Sequence, residues 1–157
     1  MMEKPVTQIV VDELKGMVRC AYTDISEGQM HYRYQGSGEK TLLLLHMALS
    51  SSDEFTRMIP LLSKKYRVIA PDHLGYGESG MPPREYEIPD YTQSIDNFMD
   101  SLNIEKANIL GHHSGAAIAV EIAVTNPDRV DSLILSGLPC YKDQHTVLAM
   151  RELPEMQ

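Results

Sequence analysis

Ala107-Asn108-Ile109-Leu110-Gly111-His112-His113-Ser114-Gly115-Ala116-Ala117-Ile118-Ala119-Val120 is the stretch on which the fold turns. Ala107–Leu110 is mainly apolar and of strand length, and Ser114–Thr125 is almost entirely apolar over a helical length. Between them only Gly111-His112-His113-Ser114-Gly115 is left to reverse the chain, so a strand must pass into a helix through a very tight turn. Asn126-Pro127 ends the helix, because proline cannot continue it and restricts the residue before. Val130–Leu135 then reads as another strand.

The same alternation runs upstream. Thr41–Leu45 is a continuous apolar run, as expected of a central strand covered on both faces. Ser50-Ser51-Ser52-Asp53 offers helix N-caps ahead of Phe55, Met58, Ile59 and Leu62 at helical spacing, although Pro60 interrupts that pattern. Tyr66–Ala70 is the next buried strand, followed by a loop over Pro71–Tyr86. Pro89-Asp90 opens a second helix, with Gln93 three residues past Asp90 as in a capping box. Tyr91, Ile95, Phe98 and Leu102 share one face of it. Nearer the start, Met17–Ile25 and Gln29–Gln35 alternate polar and apolar residues around Glu27-Gly28, which predicts an antiparallel hairpin. Strands alternating with helices imply crossovers and a mostly parallel sheet with helices on both faces, an α/β class. One domain over residues 1–157 is expected, with Pro139–Gln157 read as the start of a cap or a frayed helix.

Composition narrows the function classes. The chain has 157 residues, 43% of them apolar, and a net charge of −8, so it lacks the basic surface that nucleic acids require. No run of 18 apolar residues predicts a membrane span, and no apolar leader follows Met1. Cys20 and Cys140 make neither a disulfide framework nor a zinc spacing. A soluble cytoplasmic protein is expected, with no metal and no cofactor. Gly75-Tyr76-Gly77-Glu78-Ser79-Gly80 matches a dinucleotide fingerprint, but Met81-Pro82-Pro83 follows where a helix should begin. His46, His112 and His113 lack the supporting carboxylates of a metal site. His112 is expected to point into the packing behind the turn, His31 and His73 to be ordinary strand or loop residues, and Asp72 to brace its own loop.

From about Gln29 to Pro139 the chain resembles the α/β-hydrolase superfamily. Leu42-Leu43-Leu44-Leu45-His46 is similar to that family's third strand and the loop after it. Val68 to Ser79 resembles the fourth strand and its loop, and Asn108–Gly111 leads into the family's nucleophile elbow. Asn126-Pro127-Asp128-Arg129-Val130 is similar to the approach to the sixth strand. The elbow is written small–x–nucleophile–x–small. Centring it on His113 puts Gly111 and Gly115 at the small positions, whereas centring it on Ser114 would put bulky His112 there. A position with positive φ also suits histidine better than most side chains.

The resemblance implies a hydrolase acting on a small ester, lactone or related acyl substrate. His113 would stand at the nucleophile position, and the N–H groups of Ser114 and of Met47 or Ala48 would bind the oxyanion, with His46 supporting that loop. Met47 replaces the family's usual glycine, and His113 its usual Ser, Cys or Asp. Two alternatives stay open: Ser114 attacks with His113 assisting, or the pocket binds a small molecule or partner without turnover. The family's acid and base follow later strands. Asp143 and His145 are the downstream candidates here, and neither matches the usual placing, so the domain is expected to be truncated after the sixth strand. Its oligomeric state is unreadable.

Overall fold

The computed structural model describes residues 17–139. Six strands form one mixed sheet: β1 (Arg19–Ile25), β2 (Gly28–Gln35), β3 (Thr41–Leu45), β4 (Arg67–Pro71), β5 (Ala107–His112) and β6 (Val130–Ser136), in the spatial order β1-β2-β4-β3-β5-β6. β1 and β2 are the expected hairpin, and β2 is also antiparallel to β4. The other three pairings, β3 with β4, β3 with β5 and β5 with β6, are parallel. The β1–β2 pair is joined by a two-residue turn, which only antiparallel neighbours allow, whereas the parallel β3–β5 and β5–β6 pairs are joined by crossovers that carry helices.

The two faces are covered unequally. Two helices, α2 (Ile88–Ser101) and α3 (Ser114–Thr125), pack together on one face. Their Ile95, Phe98, Ile118 and Ile122 close over Leu43, Leu45, Ile69 and Ile109, all fully buried or nearly so. The other face carries Leu42, Leu44, Val68 and Ala70 under Phe55 and Ile59. Alternate residues of β3 therefore feed both cores, which is why its sequence is apolar without interruption.

Two local expectations are corrected. The segment after β3 is not one helix: a 3-10 turn, Ser52–Phe55, is followed by a separate four-residue helix, α1 (Ile59–Leu62), with Pro60 in its first turn. Proline is tolerated there because the N–H it lacks has no partner in a first turn anyway. The capping box of α2 pairs Glu87 with Asp90, one turn earlier than Asp90 with Gln93. Glu87 is a weak cap by type, but Asp90 returns a bond to its N–H at 3.0 Å and is itself gripped by Arg84.

Register places the site. Leu45 of β3 lies opposite Gly111 of β5, so the loop leaving β3 and the turn leaving β5 emerge side by side at the carboxyl edge of the sheet. His112 is paired with Ser136 on the other side. Asp143 and His145 lie outside the described residues.

Candidate active site

The turn after β5 has the tightness its glycines suggested. A Cβ on Gly111 would run into the carbonyl of Gly115 and the Cα of Ala116, and one on Gly115 into the carbonyl of Leu45. The positive φ falls on His113, midway between them, with φ 52° and ψ −115°. That is not the ordinary left-handed region, where ψ is positive, and holding a side chain there costs about 1–3 kcal/mol. Three hydrogen bonds hold it: the His113 N–H donates to Ser136 O at 2.8 Å, and its carbonyl accepts from Ala116 and Ala117. The His113 ring is exposed and has no hydrogen-bond partner among the described residues.

The loop after β3 meets this turn at one atom. The Ala48 N–H donates to Ser114 Oγ at 2.5 Å. Of the two expected donors in that loop, it is thus Ala48 that stands against the turn; Met47 turns its carbonyl to His46 Nδ1 at 2.7 Å. His46 is wholly buried, and its Nε2 accepts from the N–H of His73 at 2.9 Å. A ring that donates from one nitrogen and accepts at the other is neutral, and burial lowers its pKa in the same sense. His46 therefore ties the loop after β3 to the loop after β4. Leu49, next in this loop, also has positive φ, 64°.

Three side chains depart from expectation. His112 does not enter the packing behind the turn: it is half-exposed, and its Nδ1 lies 3.0 Å from Glu54 Oε1. The even/odd alternation of β5 sends Gly111 inward and His112 out toward the 3-10 turn. His73 is no ordinary loop residue; it is 2% exposed, its ring centroid 4.2 Å from that of His46 and tilted against it, with burial driving its pKa well below the usual histidine value. His31 is buried against Asp72 at 2.8 Å. Asp72 does brace its loop, and more widely than expected. Burial pushes its pKa up, but the N–H groups of Glu78 at 2.9 Å and Ser52 at 2.6 Å, with His31, outweigh that and hold it below the ordinary range. No helix follows Gly80 until Ile88, so the glycine run there lacks the helix N-terminus that a dinucleotide needs. Among the described residues no group of three or more His, Cys, Asp or Glu is placed to hold a metal ion, and no helix is long and apolar enough to cross a membrane.

Beside Ala48 and Ser114 opens a cavity of about 340 Å³, walled by His73, Tyr76, Tyr86, Tyr91, Ile88 and Ile118. Tyr91 is pushed up to about 12, by burial first and by Tyr76 next, so its hydroxyl stays protonated. Ser114 reaches this cavity; His113 and Met47 are not in its wall. The tyrosines were legible only as helix or loop residues, because their convergence depends on the loop between β4 and α2 folding back onto Tyr91.

The comparisons agree with this architecture. A family model described as the alpha/beta hydrolase fold matches residues 40–157. An uncharacterized protein of Mycobacterium tuberculosis is 34% identical over 124 residues, 78% of this chain and 36% of that protein. A haloalkane dehalogenase of Mesorhizobium japonicum is 35% identical over 106 residues, 68% of this chain and 34% of its own length. Among solved structures, the enol-lactonase from Burkholderia xenovorans superposes with a TM-score of 0.69 at 27% identity, over 72% of this chain and 45% of the other. An epoxide hydrolase gives 0.72 at 30% identity, over 75% and 41%. The chain thus spans roughly a third of the length of these curated relatives.

Proposed function

The chain belongs to the α/β-hydrolase fold family, and from that membership we propose that its site serves hydrolysis of a small ester, lactone or related acyl compound, with His113 in the nucleophile's place. The observation that carries this reading is the backbone of His113. A conformation costing about 1–3 kcal/mol is held by three hydrogen bonds and two obligatory glycines, and its effect is to lift one side chain clear of the sheet edge. Relatives and neighbours named for dehalogenation, lactone cleavage and epoxide hydrolysis all break a carbon–heteroatom bond, which supports hydrolysis as the class.

In the proposed reaction a neutral ring nitrogen of His113 attacks the acyl carbon. The developing oxyanion lies between the N–H groups of Ser114 and Ala48, which the Ser114 hydroxyl must vacate. Collapse expels the alkoxide, which takes the proton from the other ring nitrogen and leaves a neutral acyl-imidazole. Water then attacks the acyl-imidazole, releasing the acid and restoring the ring. Turnover of p-nitrophenyl acetate tests this with two variants. His113→Ala is expected to lose at least about 100-fold in kcat/KM and Ser114→Ala less than about tenfold. Undiminished turnover in His113→Ala removes the assignment; the reverse ranking transfers the role to Ser114.

A second reading is favoured by two features. The Ala48 N–H is already taken by Ser114 Oγ, and the His113 ring has no carboxylate beside it among the described residues. Such a site suits a protein that binds a small molecule without turning it over. Saturable binding with no turnover of any acyl substrate would select it.

A further inference from the structure

Proton positions in the buried histidine pair can be assigned from their partners. The His73 Nε2 faces the carbonyl of His46 at 3.3 Å, and a carbonyl only accepts, so Nε2 carries the proton. The ring is 2% exposed, and burial favours its neutral form. Its other nitrogen, Nδ1, is therefore a bare lone pair. It is buried and accepts from no described residue. A buried acceptor without a donor costs about 1–3 kcal/mol, so such a group persists where something else supplies the donor.

The nearest open space is the 340 Å³ cavity, in whose wall His73 stands. Nδ1 itself is covered, and the ring of Tyr91 is packed edge-on against His73 at 5.8 Å, so a donor reaches Nδ1 only as neighbouring groups give way. The remaining wall is mainly tyrosine and isoleucine, with Ala48 and Ser114 at one end, which suits a ring or short chain. It contains no Lys or Arg to pair an anion. Its one carboxylate, Glu87, is exposed at the rim and accepts from the first turn of α2.

We propose that this cavity takes an uncharged, hydroxyl- or amide-bearing ligand whose O–H or N–H donates to Nδ1 of His73, the Tyr91 edge shifting to admit it. His73 is then a specificity-determining residue. The proposal rests on the cavity being the substrate's pocket, and it names the substrate class: acyl compounds that also carry a hydroxyl or amide N–H.

Phenol and anisole test it by binding alone. Anisole is the more apolar, so a merely greasy cavity prefers anisole; an acceptor in the wall reverses the order. The protein is expected to bind phenol about tenfold more tightly than anisole, the worth of one neutral hydrogen bond. His73→Leu should abolish that preference, and His73→Asn, whose side-chain oxygen falls near the place of Nδ1, should retain part of it. Phenol, and not anisole, should also move the ¹⁵N resonance of His73 Nδ1, a reading that needs no variant to fold. Equal affinities, binding of neither compound, an unmoved resonance, or a preference that survives in folded His73→Leu would each overturn the proposal. Loss of ester turnover with the phenol preference intact would instead sink the hydrolytic reading and leave this one standing.

Discussion

His113 combines an unfavourable backbone with an unpaired side chain, and such strain is costly unless it serves the site. His113→Gly removes the Cβ that makes φ 52° and ψ −115° unfavourable, against the entropy that glycine adds to the unfolded chain. The net expected change is a gain of about 1 kcal/mol in unfolding free energy by urea titration, together with loss of turnover. Asp72 makes the opposite kind of contribution. Its folded-state pKa is held below the ordinary aspartate value of 3.8. As pH falls past that value the unfolded chain takes up the proton first, so stability supplied by Asp72 is full above it and is lost as pH drops through the lower folded value. Unfolding free energy measured between pH 6 and pH 2 should therefore fall more steeply in the native protein than in Asp72→Asn. At this scale the sequence was a partial guide. The centring of the turn on His113 followed from Gly111 and Gly115, because small flanks are a local demand. The partners of His112 and His73 did not, because Glu54 and His46 reach them only through the sheet register.

Strand β5, the turn and α3 act as one element whose dimensions leave no slack. Gly115→Ala would press a methyl into the carbonyl of Leu45, which is backbone of the central strand and cannot yield. A loss of about 2–3 kcal/mol in unfolding free energy is expected, with turnover falling further because the loop after β3 shifts with Leu45. A neutral result would mean that the turn is looser than its contacts imply. Elements of strong apolar pattern were legible almost to the residue: Thr41–Leu45 and Ser114–Thr125 need no partner to declare themselves. The stretch after β3 was not. Phe55, Ile59 and Leu62 keep helical spacing across a break, since the 3-10 turn and α1 pack into the same core, while Met58 is exposed. The start of α2 was misplaced because Glu87 caps only with help from Asp90 and Arg84, a cooperation that single-residue preferences do not encode.

Over the whole described molecule, the sheet order gathers three loops at one carboxyl edge: those after β3, β4 and β5. Parallel pairing of β4-β3-β5 makes this unavoidable, which is why ligand sites of open α/β sheets lie there. His46 joins the first two loops, Ala48 and Ser114 join the first to the third, and the tyrosine-walled cavity opens between them. The family was readable from ordered motifs along the chain, whereas the cavity was not, since its walls come from segments spread between Ala48 and Ile118. The proposed chemistry is acyl transfer through the His113 imidazole. Its most direct test is to mix the protein with p-nitrophenyl acetate, quench within the first turnover, and locate the acetyl group by peptide mass spectrometry. Acetyl is expected on the His113 ring, and absent from protein quenched before the ester is added. Acetyl on Ser114, or p-nitrophenol release with His113 never acylated, would contradict it.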